Sequence, residues 1–415
     1  FNNIVAKDSG GANFGGAIYG SSQASIYVVN STFYNTTGRS GGAIYSYGGN
    51  LTVINSTFTN TKANKPYNLQ GGAIYSNRGN LAVINSTFTN ATADEGGAIY
   101  SYESNIAVID SKFENCKTPS YYNKGSDIYS TTNSGSSAGN SSVSLICNDY
   151  DGKLRYDNIT EVYLGNNAKL VTYIVSGTFA EVQYRINTTP VNGVLNLENK
   201  KYTANENDTT LVVNKNITIN GNGAILDADK RFRIMNIADG VSVTLNNITF
   251  INGNDTTPYS GGAIHNQGNE LIVDNCHFIN TTAVQMGGSI YSQGNVSVHN
   301  STFINTTSAY DGGAIWGTTV NVTDSSFTNT VTLEDWAYGG AIYGGSVTVS
   351  NSNFTDTKAG SQGGAIYSNS GIVTNSKFTN CQAPSGSDIY AYGLVVLQSN
   401  DYDGKTKYNS TEVYG

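Results

Sequence analysis

The densest group of charged side chains is the heptapeptide DADKRFR, which sets Asp227, Asp229, Lys230, Arg231 and Arg233 side by side. Paired carboxylates, or a base beside metal-binding acids, are what glycosidic-bond cleavage requires, provided they converge in one groove. This run lies in a stretch that reads as a cap, where charge serves solubility, and no catalytic residue is assigned from it. His265, His277 and His299 fall on different rows of a repeat, all at positions expected to face outward, and three scattered histidines do not make a metal site. Asp149–Gly152 and Asp401–Gly404 both read DYDG, which begins like a calcium loop. Two carboxylates fall short of the six to eight oxygens that Ca²⁺ takes, and Asp-Gly is an ordinary turn signal. Cys116, Cys147, Cys276 and Cys381 show no disulfide spacing and are expected as thiols, mostly buried. No metal, cofactor or catalytic constellation follows from these residues.

The elements that would have to position such groups are strongly periodic. GGAIY recurs from Gly15, Gly41, Gly71, Gly96, Gly339 and Gly363, with looser copies at Gly261, Gly287 and Gly312, and with GSDIY at Gly125 and Gly386. Between these copies runs NSTFxN, with Phe at positions such as 33, 58, 88, 113, 278, 303, 327, 354 and 378. Two motifs alternating at a fixed period are the signature of a repeat architecture. Five and seven residues before each Phe stand apolar residues, as in Val53 and Leu51, and this period of two predicts a strand with one buried face. Three before Phe stands Asn or Asp, residues that tolerate the left-handed backbone of a bend.

A strand, a bend, a short strand and a return to GGAIY make one coil of a right-handed parallel β-helix, an all-β solenoid whose hand follows the rule for parallel crossovers. Stacking turns equivalent residues into columns. Phe58, Phe88 and Phe113 are expected in one buried column, and Asn60, Asn90 and Asn115 in a second, buried amide ladder beside it. Strict alternation through GGAIY puts the second Gly and Ile inside and Ala and Tyr outside, so the Asp of GSDIY is expected to point outward.

Near-identical endings at Asn148 and Asn400 divide the chain into two modules in tandem. Residues 1–165 hold coils alone, 166–249 read as a cap with early coils, and 250–415 hold coils again. Within the cap, LVTYIV, AEVQYRI, GVLNLE, TLVVNKNITI, AILDA and RFRIMNIA read as strand-like runs. Thr131–Ser142 reads as a loop. The net charge of −8, with no Lys/Arg cluster, argues against nucleic acid. No apolar run is long enough for a membrane span.

The alternation of GGAIY with NSTFxN, the opening ITINGNGAILDA before FRIMNI, and the Asn/Thr/Tyr bias resemble the β-helix modules of adhesin-like surface proteins of methanogenic archaea. A weaker likeness is to the repeats of chlamydial polymorphic outer-membrane proteins, which pair GGA(I/L/V) with FxxN where this chain has FxN. The first resemblance implies an extracellular, non-enzymatic structural or adhesive protein, a repeat segment or subunit of an elongated surface appendage or filament. The alternative is a β-helix carbohydrate-active enzyme, a polysaccharide lyase or hydrolase. Expected partners are the chain itself, head to tail or as tandem modules, and cell-surface glycans or other cells. In an extracellular setting, bend asparagines in N-x-(S/T) sequons are glycosylation candidates: Asn30, Asn55, Asn85, Asn247 and Asn300. The row Tyr45, Tyr75, Tyr100, Tyr291, Tyr343 and Tyr367 is the candidate contact stripe, with simple ring stacking as the competing explanation.

Overall fold

The computed structural model describes residues 1–6, 14–22, 24–64, 69–119, 124–133, 141–153, 155–156, 160–258, 260–404 and 413–414. Most of the expected loop at Thr131–Ser142 lies outside them, as do parts of both module endings. The chain is a parallel β-solenoid of about 15 turns. It divides into two compact units, Phe1–Ser176 and Gly177–Gly415. The run LVTYIV, grouped with the cap in the sequence, contributes strand Lys169–Ile174, which pairs in parallel with Ser142–Ile146 of the first unit.

In the first unit the coil has three faces, each a parallel sheet. One is built from the IY strands (Ile44–Tyr47, Ile74–Asn77, Ile99–Tyr102), one from the apolar strands (Leu51–Ile54, Asn80–Ile84, Asn105–Ile109) and one from the Phe strands (Thr57–Thr59, Thr87–Thr89, Lys112–Glu114). Register is in phase: Val53 pairs with Val83 and Val83 with Val108, while Phe58 pairs with Phe88 and Phe88 with Phe113. Corners fall where the backbone turns left-handed, at Gly41 (φ 66°), Asn55 (φ 49°) and Asn60 (φ 54°) in one coil. Glycine and asparagine are the residues that enter this region at least cost, which explains why they recur. The second glycine has a different reason. A Cβ on Gly42 would lie 2.1 Å from the carbonyl oxygen of Gly72, so the next coil leaves no room for a side chain.

The Phe column is completely buried, with ring centroids 4.7 Å apart for Phe33–Phe58, 4.8 Å for Phe58–Phe88 and 5.1 Å for Phe88–Phe113. Tyr150 and Tyr402 end the columns in the two units, stacked on Phe113 and Phe378. Beside the Phe column runs an interior serine ladder. Ser56 N donates to Ser86 Oγ and Ser86 N to Ser111 Oγ, and Ser111 N donates to Oδ1 of buried Asn148.

Three expectations are corrected. The asparagine ladder exists, with Asn60 Nδ2 donating to Asn35 and Asn90 Nδ2 to Asn60, each at 3.0 Å. It is exposed rather than buried, because Asn35, Asn60, Asn90 and Asn115 are themselves corner residues with positive φ. Alternation also fails in GGAIY: Ala43 and Ile44 both donate their amides to the Ala73 carbonyl, at 2.9 Å each, and this irregularity turns both side chains into the core. Asp127 occupies the same position as Ala98 and is therefore fully buried rather than outward. Finally, AEVQYRI is helical, not extended. Thr178 accepts from Glu181 N as N-cap, Glu181 pairs with Arg185 one turn on, and Phe179, Val182 and Ile186 form one apolar face on helix Phe179–Thr188. That face joins the core of the second unit, where the helix packs on the strands of Tyr202 and Leu211.

Candidate functional site

The charged run of the cap does not converge. Asp227 is held by Lys201 at 2.7 Å and by Asn252 Nδ2 at 2.9 Å. Burial opposes its ionisation, but these partners keep its carboxyl below the usual range. Asp229 pairs with Arg231 at 3.1 Å. Arg233 turns away and is buried, bonding Asp255 at 2.5 Å, Asn236 at 2.7 Å, Thr257 at 3.1 Å and the Gly261 carbonyl at 3.0 Å. An Arg–Asp pair so fully bonded and shielded is a packing device rather than a site open to a substrate.

The histidines are in three different environments. His265 takes the Tyr position of its strand, between buried Ile264 and Asn266, and faces outward as expected, half-covered by Tyr291, edge to face at 5.1 Å. Burial, then the neighbouring Arg233, pushes its pKa down to about 4. His277 bonds Thr302 at 2.8 Å, and exposed His299 bridges Asp274 at 2.8 Å and Asp324 at 3.4 Å. Among the described residues no group of three or more His, Cys, Asp or Glu is placed to hold a metal ion. In both DYDG segments the first Asp accepts from the glycine amide three residues on, at 2.6 Å for Gly152 and 2.7 Å for Gly404, which is turn geometry. Cys116, Cys276 and Cys381 are buried thiols, whose pKa values burial raises, to about 12 for the last two.

Asn30, Asn55, Asn85, Asn247 and Asn300 are all exposed and all have positive φ. Their amides join along the stack where neighbours allow, as in Asn85 Nδ2 to Asn55 Oδ1 at 2.8 Å and Asn300 Nδ2 to Asn275 Oδ1 at 3.2 Å. The tyrosines stack ring on ring within each unit. Tyr45–Tyr75 lie 4.7 Å apart, Tyr75–Tyr100 5.1 Å and Tyr343–Tyr367 5.0 Å, while Tyr291 stacks on Trp316 at 4.5 Å. Tyr45, Tyr75, Tyr100, Tyr291 and Tyr367 are each no more than 9% exposed, and Tyr343 is partly buried. Little ring surface is left there for a partner.

An exposed aromatic stands elsewhere, on a turn outside the repeat. Between strand Ser326–Thr332 and the next GGAIY the chain inserts Leu333–Tyr338, LEDWAY. The turn is held by Glu334 N to the Ala309 carbonyl, Ala337 N to the Glu334 carbonyl and Tyr338 N to Asp311 Oδ1, while Ala337 is fully buried. Trp336 is 53% exposed and packs against Tyr310 at 4.6 Å. Leu333 and Asp335 of the same turn line a cleft of about 510 Å³, together with Lys358, Gln382 and Pro384 among others, while the Trp336 ring is not part of that lining. The signal that finds this place is the lone non-repeating insertion carrying Trp in a chain with 2 Trp. The chain matches no protein-family model and no curated protein.

Proposed function

We propose that this chain is a structural and adhesive element of the cell surface, a run of coils within an elongated extracellular appendage. The observation that carries the reading is the continuity of the columns. Phe, Ser, Asn and Tyr each stack on their own kind from coil to coil, so a unit of this kind grows by repetition and offers the same corner asparagines on successive coils. Some twenty N-x-(S/T) sequons, including the exposed corners Asn55, Asn85 and Asn300, suit a glycosylated outer surface. Self-association by further stacking belongs to the same proposal. Strands Ile18–Gly20 and Ile26–Val29 are edge strands that carry exposed Tyr19 and Tyr27, a surface that a further coil would cover. The test is surface labelling. An antibody against the chain should decorate intact source cells, and glycopeptides from native material should carry sugar at corner asparagines. Labelling that appears only after permeabilisation overturns the proposal.

A further inference from the structure

The two units end their columns in the same way, and in the first the last apolar strand is covered. Asn148 Nδ2 donates to the Val108 carbonyl at 2.8 Å and Asn400 Nδ2 to the Val373 carbonyl at 2.9 Å. Strand Val395–Gln398 of the second unit therefore holds the place of strand Ser142–Ile146 in the first. There Lys169–Ile174 lies alongside in parallel, with Leu170 beside Val143, Tyr173 beside Leu145 and Ile174 beside Ile146. Lys169 N donates to the Ser141 carbonyl and Cys147 N to the Ile174 carbonyl, each at 2.8 Å. Under this cover Val143 and Leu145 are at most 1% exposed, and Tyr173 packs on the core and edge to face on Tyr156.

Among the described residues Val395–Gln398 has no such cover, and its strand pairing is with Ile366–Thr374 on the coil before. Val395 and Leu397 pack against the core of their unit as Val143 and Leu145 do in theirs, yet both are partly exposed. The Gly393 carbonyl and the Ser399 amide correspond to the bonded groups of Ser141 and Cys147. Neither takes a backbone partner among the described residues. Leu394 and Val396, where the first unit has Ser142 and Ser144, are 81% and 48% exposed. Open sheet edges are ordinarily guarded by charge, proline or a bulge. Residues 394–398, LVVLQ, have no charge and no proline, and their register with the coil before is unbroken.

We propose that the edge of Val395–Gln398 is a docking site for an extended apolar segment of the Lys169–Ile174 kind, added in parallel as one further strand. Main-chain groups of the segment satisfy the Gly393 carbonyl and the Ser399 amide, which supplies affinity. Its alternate side chains, an aliphatic one beside Val395 and an aromatic one beside Leu397, complete the core and supply specificity. A segment with charged residues at those two positions is rejected, because it would bury charge against the core. The proposal rests on the stacking part of the reading above and names the chemistry of the partner at this edge.

The chain supplies its own probe. A fluorescein-labelled peptide of residues 166–176, NNAKLVTYIVS, is titrated with the full 415-residue chain and followed by anisotropy. It should bind with saturation below about 1 mM. With p-benzoylphenylalanine in place of Tyr173, it should cross-link within residues 393–399. Leu397→Lys in the chain sets a charge at the edge of the core and should weaken binding by about tenfold or more, with unchanged circular dichroism. Lys169→Pro in the peptide removes the amide that meets the Gly393 carbonyl and should also weaken binding, a result that does not depend on how a chain variant folds. The proposal is overturned if the peptide does not bind, or if neither substitution weakens it. Cross-links to Ser142–Ile146 or Ile26–Val29 overturn it as well, since the peptide then exchanges with the chain's own strand or binds any edge. If the chain self-associates through residues 393–399 and the peptide does not compete, a second copy is the occupant and the proposal falls. None of these outcomes touches surface labelling of intact cells, so the two readings fail separately.

Discussion

Asp127 lies in the interior row directly above Ala98, whose amide donates to the Asp127 carbonyl, and both side chains are completely buried. A carboxyl thus stands where every earlier coil of that unit has a methyl group. Burial first, then Asp151 and Glu161, push its pKa up to about 8, with Ser126 and Lys153 acting weakly the other way.

The sign of the pH effect follows. Between about pH 4 and pH 8 the folded chain holds a proton at Asp127 that the unfolded chain has released, so this group's contribution to stability falls as pH rises through that window. Asp127→Ala should leave stability little changed at pH 4 and raise it at pH 8. Thermal unfolding of both proteins across the range measures this. A difference independent of pH would show that Asp127 is not protonated in the folded chain.

Phe88 sits between Phe58 and Phe113 with its ring parallel to both, at 6° and 7°. Truncation to Ala empties one layer of the column, and neighbours stacked in register cannot close over it. Phe88→Ala should cost about 3–5 kcal/mol in denaturant unfolding, and Phe88→Leu less. A loss below about 1 kcal/mol would mean that the column contributes little to holding the coils.

The columns were legible because they are one-dimensional: a residue type recurring at a fixed offset from Phe has to stack on itself. Inside and outside were harder. Alternation places Val53 and Phe58 correctly but fails at Ala43 and Asp127, because two successive amides share one carbonyl, that of Ala73 for Ala43 and Ile44 and that of Glu161 for Asp127 and Ile128, which shifts the count by one, and sequence carries no mark of a shared acceptor. It fails again at Asn60, where the chain turns a second corner instead of continuing a strand. The helix at Phe179 reads as strand until Thr178 is noticed as a cap three residues before Glu181. The cleft was invisible for another reason. It is formed by an insertion and by residues from neighbouring coils, and only stacking brings them together.

Asn60 has two roles that substitution can separate. Its backbone is left-handed, and its side chain links Asn35 to Asn90. Gly keeps the backbone at little cost but breaks the ladder, whereas Ala does both kinds of damage. With exposed hydrogen bonds contributing about 0.5–1.5 kcal/mol and a left-handed Ala costing about 1–2, Asn60→Ala should destabilise more than Asn60→Gly. Equal losses in urea would assign the whole effect to the ladder.

His265 and His299 should pull stability in opposite directions over one pH range. For His265, burial and Arg233 lower the folded pKa from 6.5 to about 4, against the weaker attraction of Asp255. Between those values the unfolded chain binds the proton and the folded chain does not, so stability falls as the solution is acidified. For His299 the hydrogen bond to Asp274 leads in raising the pKa, with Asp324 adding to it. Its contribution is present in full below the unfolded pKa of about 6.5 and is lost as pH rises through the folded value. Since His299 is exposed, salt will screen its share, while the half-buried His265 is screened less. His265→Phe, which keeps a ring beneath Tyr291, should therefore be more stable relative to wild type at pH 5 than at pH 8. His299→Ala should be less stable at pH 5 and level with wild type at alkaline pH. Unfolding midpoints at pH 5 and pH 8, in low and high salt, distinguish the two. A His265 variant that loses stability equally at both values would show that the imidazole matters here only as packing.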